Sequence, residues 1–384
     1  MKGGGLMGKA ATLIANVVRS LLAIFGMIAG FVYIERVMVD AEGGIGLFAR
    51  ITLIMITVVM GIVLNVFLHE LGHLITGLLS GYSFAAFSIF SQHIIKKDGK
   101  LIRKKARLKG ASGVCTMSPP EMVNGKYPYK LFFFGGILMN FITAAICLAL
   151  FLLLASSTEL WASVSLVFGV IAAWLGLGSL IPAKYSKPDG YFLLYLSGED
   201  KKEERVRLWT VAQIKALQVA GCRPRDIPYA YFECVNVNDS IDNILALFIA
   251  ERRYHYWLDK REMEKASAIA QSIYDNIDSS LKGHKIVFAP SLLFHELIDK
   301  CRENEVSRLF TRDAYNYMER SLSDMAAQRT LYAYARLVSK NDAKIRMRLN
   351  SFNKACLDPE IFEVGNIPGE RELIVLVDEM ANER

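Results

Sequence analysis

Long apolar runs fall almost entirely before residue 197, and beyond it apolar residues recur at spacings of three and four. The first pattern suits a bilayer, where a spanning helix needs roughly 20 apolar residues. The second suits helices that bury one stripe against a core. Four stretches reach spanning length, at about 11–34, 50–79, 131–155 and 161–183. Arg19 interrupts the first, yet no small-x-small cleavage site follows Ile34, so it reads as an anchor rather than a signal peptide. Between the second and third spans, residues 82–95 are aromatic and β-branched, and Asp98-Gly99 separates them from Lys100-Leu-Ile-Arg103. Asp-Gly between two such runs predicts a hairpin, and an edge of that hairpin could pair with an extended substrate.

After a charged linker at 198–205, the stripes Ile241, Ile244, Leu245, Phe248, Ile249 and Met263, Ala266, Ile269, Ala270, Ile273, Ile277 predict core-facing helices. Breaks are expected near 221–228, 282–290 and 359–368. The expected fold is therefore membrane α-helical, with about four transmembrane helices and a small membrane-associated β-hairpin. An all-α cytoplasmic domain follows, whose helix pairs loosely suggest a tetratricopeptide-like solenoid. The domains expected are 1–49, an anchor span with an external loop; 50–197, the membrane core; and 198–384, the cytoplasmic helices.

Charge sets the orientation. Residues 82–130 hold ten basic side chains against Asp98 and Glu121, whereas the loop before the second span (Glu35, Arg36, Asp40, Glu42) is slightly acidic. Basic loops stay on the cytoplasmic side. With Lys2, Lys9 and Arg19 also inside, the spans alternate and both termini are cytoplasmic, as in a multi-pass protein of the cell membrane. A basic loop between apolar spans faces anionic lipid before it suggests nucleic acid, so no nucleic-acid partner is expected. The six cysteines form no C-x-x-C pair, which argues against a disulfide framework.

The second span carries the chemistry. His69 and His73 stand four apart, on one helical face, and can reach one ion. Ionisable side chains in an apolar span need a reason. The arrangement His69-Glu70-Leu-Gly-His73 is that of zinc peptidases, in which Zn2+ lowers the pKa of water towards ~7 and Glu70 takes its proton. Catalytic zinc commonly uses three protein ligands. Asp189 is the candidate third, at the internal end of the fourth span, where Pro182 and Pro188 break the helix and Gly190 lets the backbone turn. His93 is expected at the interface, and His255, His284 and His295 are isolated and read as structural.

Over roughly residues 50–197 the chain resembles the site-2 protease family of intramembrane metallopeptidases. The marks are His69-Glu70-Leu-Gly-His73, the stretch Gly135-Gly136-Ile-Leu-Met-Asn140, and Pro182 through Asp189-Gly190-Tyr191, whose long gap is similar to that of a bacterial subgroup. The chain departs from the family at Ser179, where Asn is frequent, and at Ile137, where Pro is frequent. The resemblance implies that His69, His73 and Asp189 bind Zn2+ and that Glu70 is the general base. It gives Asn140 a contact with substrate, with the reacting carbonyl, or with the groups that support the site. A lone Asn in a Gly-rich span also glues helices together.

The function expected is zinc-dependent cleavage of a membrane-embedded or membrane-adjacent polypeptide, releasing a factor or maturing a peptide. A cytoplasmic protein or peptide partner could engage the helical domain. The competing reading is a non-proteolytic, membrane-anchored adaptor with a structural zinc and a partner-binding tail. The presence of Glu70 weighs against it, since a structural site has no need of a base.

Overall fold

The computed structural model describes residues 47–156, 159–181, 188–281 and 283–383. The expected first span at 11–34 and its external loop up to residue 46 lie outside the described residues, as does Pro182. Helix α1 (Leu47–Leu79) leads into strands β1 (Ser83–Ile89), β2 (Gln92–Lys97), β3 (Lys100–Lys105) and β4 (Gly113–Ser118). Helices α2 (Tyr129–Leu154), α3 (Glu159–Leu180) and the short α4 (Asp189–Tyr195) follow. The described residues divide into two compact units, 47–89 with 112–202 and 90–111 with 203–384.

In the first unit three helices are long and apolar enough to cross a membrane, at Met55–Leu79, Tyr129–Leu154 and Trp161–Leu180. A helix of 26 residues such as α2 is about 39 Å long, against a hydrocarbon core of roughly 30 Å. Only 11% of its most apolar window is buried by protein. Leu138, Ile142, Ile146, Leu150 and Leu153 point outward, an apolar surface that calls for lipid. Asn65, fully buried in α1, donates to Phe168 O of α3 at 3.3 Å as well as to Gly61 O of its own helix at 2.8 Å. Such a bond holds helices together where the hydrophobic effect between them is absent. β1 and β4 pair antiparallel from Ser83↔Ser118 to Ile89↔Gly113, with an irregularity between Phe84 and Ala86.

The second unit begins with the β2–β3 hairpin, paired from Gln92↔Lys105 to Lys97↔Lys100. Its turn is the expected Asp98-Gly99, both at positive φ (50° and 77°), as a two-residue hairpin turn requires. The aromatic run expected at 82–95 does not stay whole, because Phe90, also at positive φ, separates β1 from β2. His93 is not interfacial: it is 1% exposed, with Nε2 3.1 Å from Ala106 O.

The remainder of the second unit is helical: α5 (Lys202–Val219), α6 (Ile244–Asp259), α7 (Met263–Asn276), α8 (Gly283–Ile298), α9 (Glu303–Leu309), α10 (Arg312–Arg320), α11 (Met325–Tyr334), α12 (Asp342–Leu357) and α13 (Ile367–Glu383). The predicted stripe Ala266, Ile269, Ala270, Ile273 is buried in its core. Pro290 is no break: it lies inside α8, and its carbonyl accepts from Thr330 Oγ1 at 3.1 Å. The helices range from 7 to 18 residues with 3-10 turns between some of them, an irregularity that lends no support to a tetratricopeptide-like repeat. Arg107 is tied to the C-terminal part, its N–H donating to Pro359 O at 3.0 Å and its carbonyl accepting from Ile361 N at 2.9 Å.

Candidate metal centre and active site

His69 lies ten residues before the end of α1, about 15 Å along the helix axis, so it sits well inside the apolar thickness. His69 and His73 turn their Nε2 atoms to one point, 3.2 Å apart. Asp189, the first residue of α4, brings Oδ2 to 3.1 Å from His69 Nε2 and 3.4 Å from His73 Nε2. The helix carrying Asp189 is fixed by Phe192, stacked on Phe133 at 4.9 Å, and by Leu196 O, which accepts from Tyr129 OH at 2.8 Å. Gly190 is not a turn residue: it is helical, and a Cβ there would run into the Leu180 carbonyl. Its role is to let α4 approach the end of α3.

The three donor atoms fit a zinc ion. Ligands about 2.0–2.1 Å from a tetrahedral ion stand roughly 3.3 Å from one another, as these atoms do. Two imidazoles and a carboxylate are a zinc donor set. The outer ring nitrogens are also held. His73 Nδ1–H donates to Phe132 O at 2.8 Å, which leaves Nε2 with its lone pair. The Asn140 amide meets His69 Nδ1 at 3.0 Å, while Asn140 Oδ1 is buried without a partner among the described residues. Turning that amide over lets Nδ1–H donate to Oδ1 and leaves Nε2 free to ligate. Gly136 faces the cluster, and a Cβ there would lie 2.6 Å from both Nε2 atoms, so only glycine leaves this space open.

Glu70 is 8% exposed, and its Oε2 accepts the Cys115 N–H of β4 at 2.7 Å. Cys115 pairs with Phe87 across β1–β4, yet its N–H points to α1, so the peptide edge of β4 that faces away from β1 is turned to Glu70. Burial first, and the Glu70 charge second, push the Cys115 thiol up, leaving it neutral and a poor ligand. At Asp189 burial works against the charge, but His73 and His69, when protonated, outweigh it and hold the carboxyl well below the usual carboxylate range.

The structure thus brings together His69, His73 and Asp189, puts Asn140 directly behind His69, and holds Glu70 through β4. Ser179 is half-buried near the end of α3 and makes no hydrogen bond to the cluster among the described residues. The sequence gives no sign of Phe132 O or of the Cys115 N–H, because backbone atoms carry no residue signature. No curated protein and no solved structure matches the chain. The model of peptidase family M50, the site-2 protease family, matches residues 57–338, from within α1 to beyond α11. With well over half of its length matched, and with a zinc-type donor set formed by two histidines of an apolar helix and Asp189, the chain belongs to peptidase family M50, a family of membrane zinc metallopeptidases.

Proposed function

We propose that this protein is an intramembrane zinc endopeptidase acting on a membrane-embedded or membrane-adjacent polypeptide. The observation that carries the reading is the convergence of Asp189 Oδ2, from α4, on His69 Nε2 and His73 Nε2 of an apolar helix that also bears Glu70. His69, His73 and Asp189 hold the metal. A zinc ion bound there supplies Lewis acidity, polarising a carbonyl and lowering the pKa of water. Glu70 accepts the proton of the attacking water and returns it to the leaving amine. Asn140 is fully buried, which favours a role in orienting His69 over a contact with substrate.

A peptide bond must leave helical form before it can be cut, and β4 offers a place for that. A substrate strand laid on its outward edge would run beside Glu70, using main-chain hydrogen bonds for affinity. The charge pattern of the loops supports a multi-pass chain in the cell membrane with both termini in the cytoplasm. The C-terminal helices could then meet a cytoplasmic protein partner. Regulatory factor release and peptide maturation both fit a protease placed in this way.

The test compares membrane-fraction peptides from cells carrying the native chain with cells carrying Glu70→Gln. Small membrane proteins or leader peptides should accumulate intact only with the variant, which keeps its zinc. Equal peptide profiles from two zinc-loaded, expressed proteins would instead favour a membrane-anchored adaptor with a structural metal.

A further inference from the structure

The C-terminal helical unit holds a half-open cavity of about 90 Å3. Its polar wall consists of Glu251, Arg252 and His255 of α6, Asp324 at the N-cap of α11, and Glu363 and Asn366 of the 3-10 turn Ile361–Asn366. Buried polar groups are ordinarily hydrogen-bonded, and several of these are not. Arg252 Nε and Nη1 are buried with no partner. Asn366 is 7% exposed, and its side chain makes no hydrogen bond among the described residues. Neither Glu251 nor Glu363 has a cation within ion-pairing distance among the described residues. Glu370, which also borders the cavity, differs: Arg329 takes it at 2.6 Å. Asp324 accepts from Ala327 N and Tyr317 OH, both at 3.0 Å, and is fixed in place.

Three carboxyl groups without an ion-pair partner among the described residues and one guanidinium therefore share this hollow with the paired Glu370. His255 is held neutral, by burial first and by Arg252 and Arg329 next. Burial and then the Asp324 charge push the Glu363 carboxyl up, against the pull of Arg252. The wall is short of positive charge. The space admits several waters or one cationic head group; protonation of Glu363 and Glu251, whose carboxyls burial pushes up, relieves part of the like charge, and a bound cation relieves the rest.

We propose that this cavity binds an organic cation, an ammonium or guanidinium group carried by a free small molecule or by a lysine or arginine side chain of a polypeptide. The cation donates to Glu251, Asp324 and Glu363 in charge-assisted hydrogen bonds. The Asn366 amide oxygen accepts from the same cation. The turn that supplies Glu363 and Asn366 also supplies Ile361, whose N–H holds Arg107 O at 2.9 Å.

Isothermal titration of the full-length chain in detergent, at matched ionic strength, tests the assignment with agmatine and separately with acetyl-Gly-Arg-Gly-amide. At least one probe should bind at one site per chain, and Glu363→Gln and Glu251→Gln should each weaken it tenfold or more. Tighter binding of agmatine points to a free small molecule, and tighter binding of the peptide to a polypeptide side chain. Circular dichroism checks that the variants are folded. Should they not fold, Asn366→Leu carries the same test and should also weaken binding. Absence of binding by both probes at millimolar concentration, or undiminished binding by the folded variants, overturns the proposal.

Discussion

Asn140 is the residue at which two accounts of the site part. If its amide oxygen accepts from His69 Nδ1, its loss should act on the metal, because partners behind a ligating histidine are typically worth 10–100-fold in affinity. Asn140→Leu should therefore weaken zinc binding by about that factor in a chelator competition, and Asn140→Asp, which can still accept, should stay near the native value. Native zinc affinity in a Leu variant with impaired cleavage would move Asn140 to the substrate side. The ligand-bearing residues were legible because imidazoles four apart on an apolar helix have few structural uses. Their supports were not. Phe132 O, 2.8 Å from His73 Nδ1, and Cys115 N–H, 2.7 Å from Glu70 Oε2, are atoms that any residue would supply. Asn140 could be singled out in the sequence, but its choice between substrate, helix glue and His69 rests on burial and distance.

Elements were readable where one local signal dominates. Asp98-Gly99 marked its turn because few residue pairs tolerate two positive φ values in succession. The three described spans follow from runs of apolar residues longer than any soluble helix needs. Phe90 and Pro290 show the limit. An aromatic residue at positive φ and a proline inside a helix both run against local preference, and tertiary packing decides them. The position of β4 over α1 belongs to the same class, and it can be probed directly. A Cβ on Gly113 would come within 2.8 Å of Glu70 Cγ and 3.0 Å of Oε1. Gly113→Ala should displace the Glu70 carboxylate while leaving both imidazoles in place. We expect turnover to fall about tenfold or more, since misplacement by about 1 Å can cost 10²-fold, with zinc content unchanged. Native turnover in that variant would show that β4 can give way and that its hold on Glu70 is incidental.

At the scale of the molecule, two solvents divide the labour of stabilisation. The apolar faces of α1, α2 and α3 need lipid, whereas the helices from α5 onward enclose a core of their own. Inside that core Arg329, fully buried, meets both oxygens of Glu370 at 2.6 and 2.7 Å and lies over the Phe294 ring at 4.1 Å. The pair joins α11 to α13, and its worth lies less in its own attraction than in what its loss would leave behind. Burial pushes the Glu370 carboxyl up, and Arg329 pulls it back. Glu370→Gln keeps the shape but leaves a buried guanidinium uncompensated, which costs about 3–5 kcal/mol. For a unit of this size that corresponds to a melting midpoint lower by about 10 °C, to be measured on the full chain in detergent by circular dichroism. An unchanged midpoint would mean that the carboxyl is already protonated in the folded state, and that α11 and α13 are held by packing and a neutral hydrogen bond rather than by an ion pair.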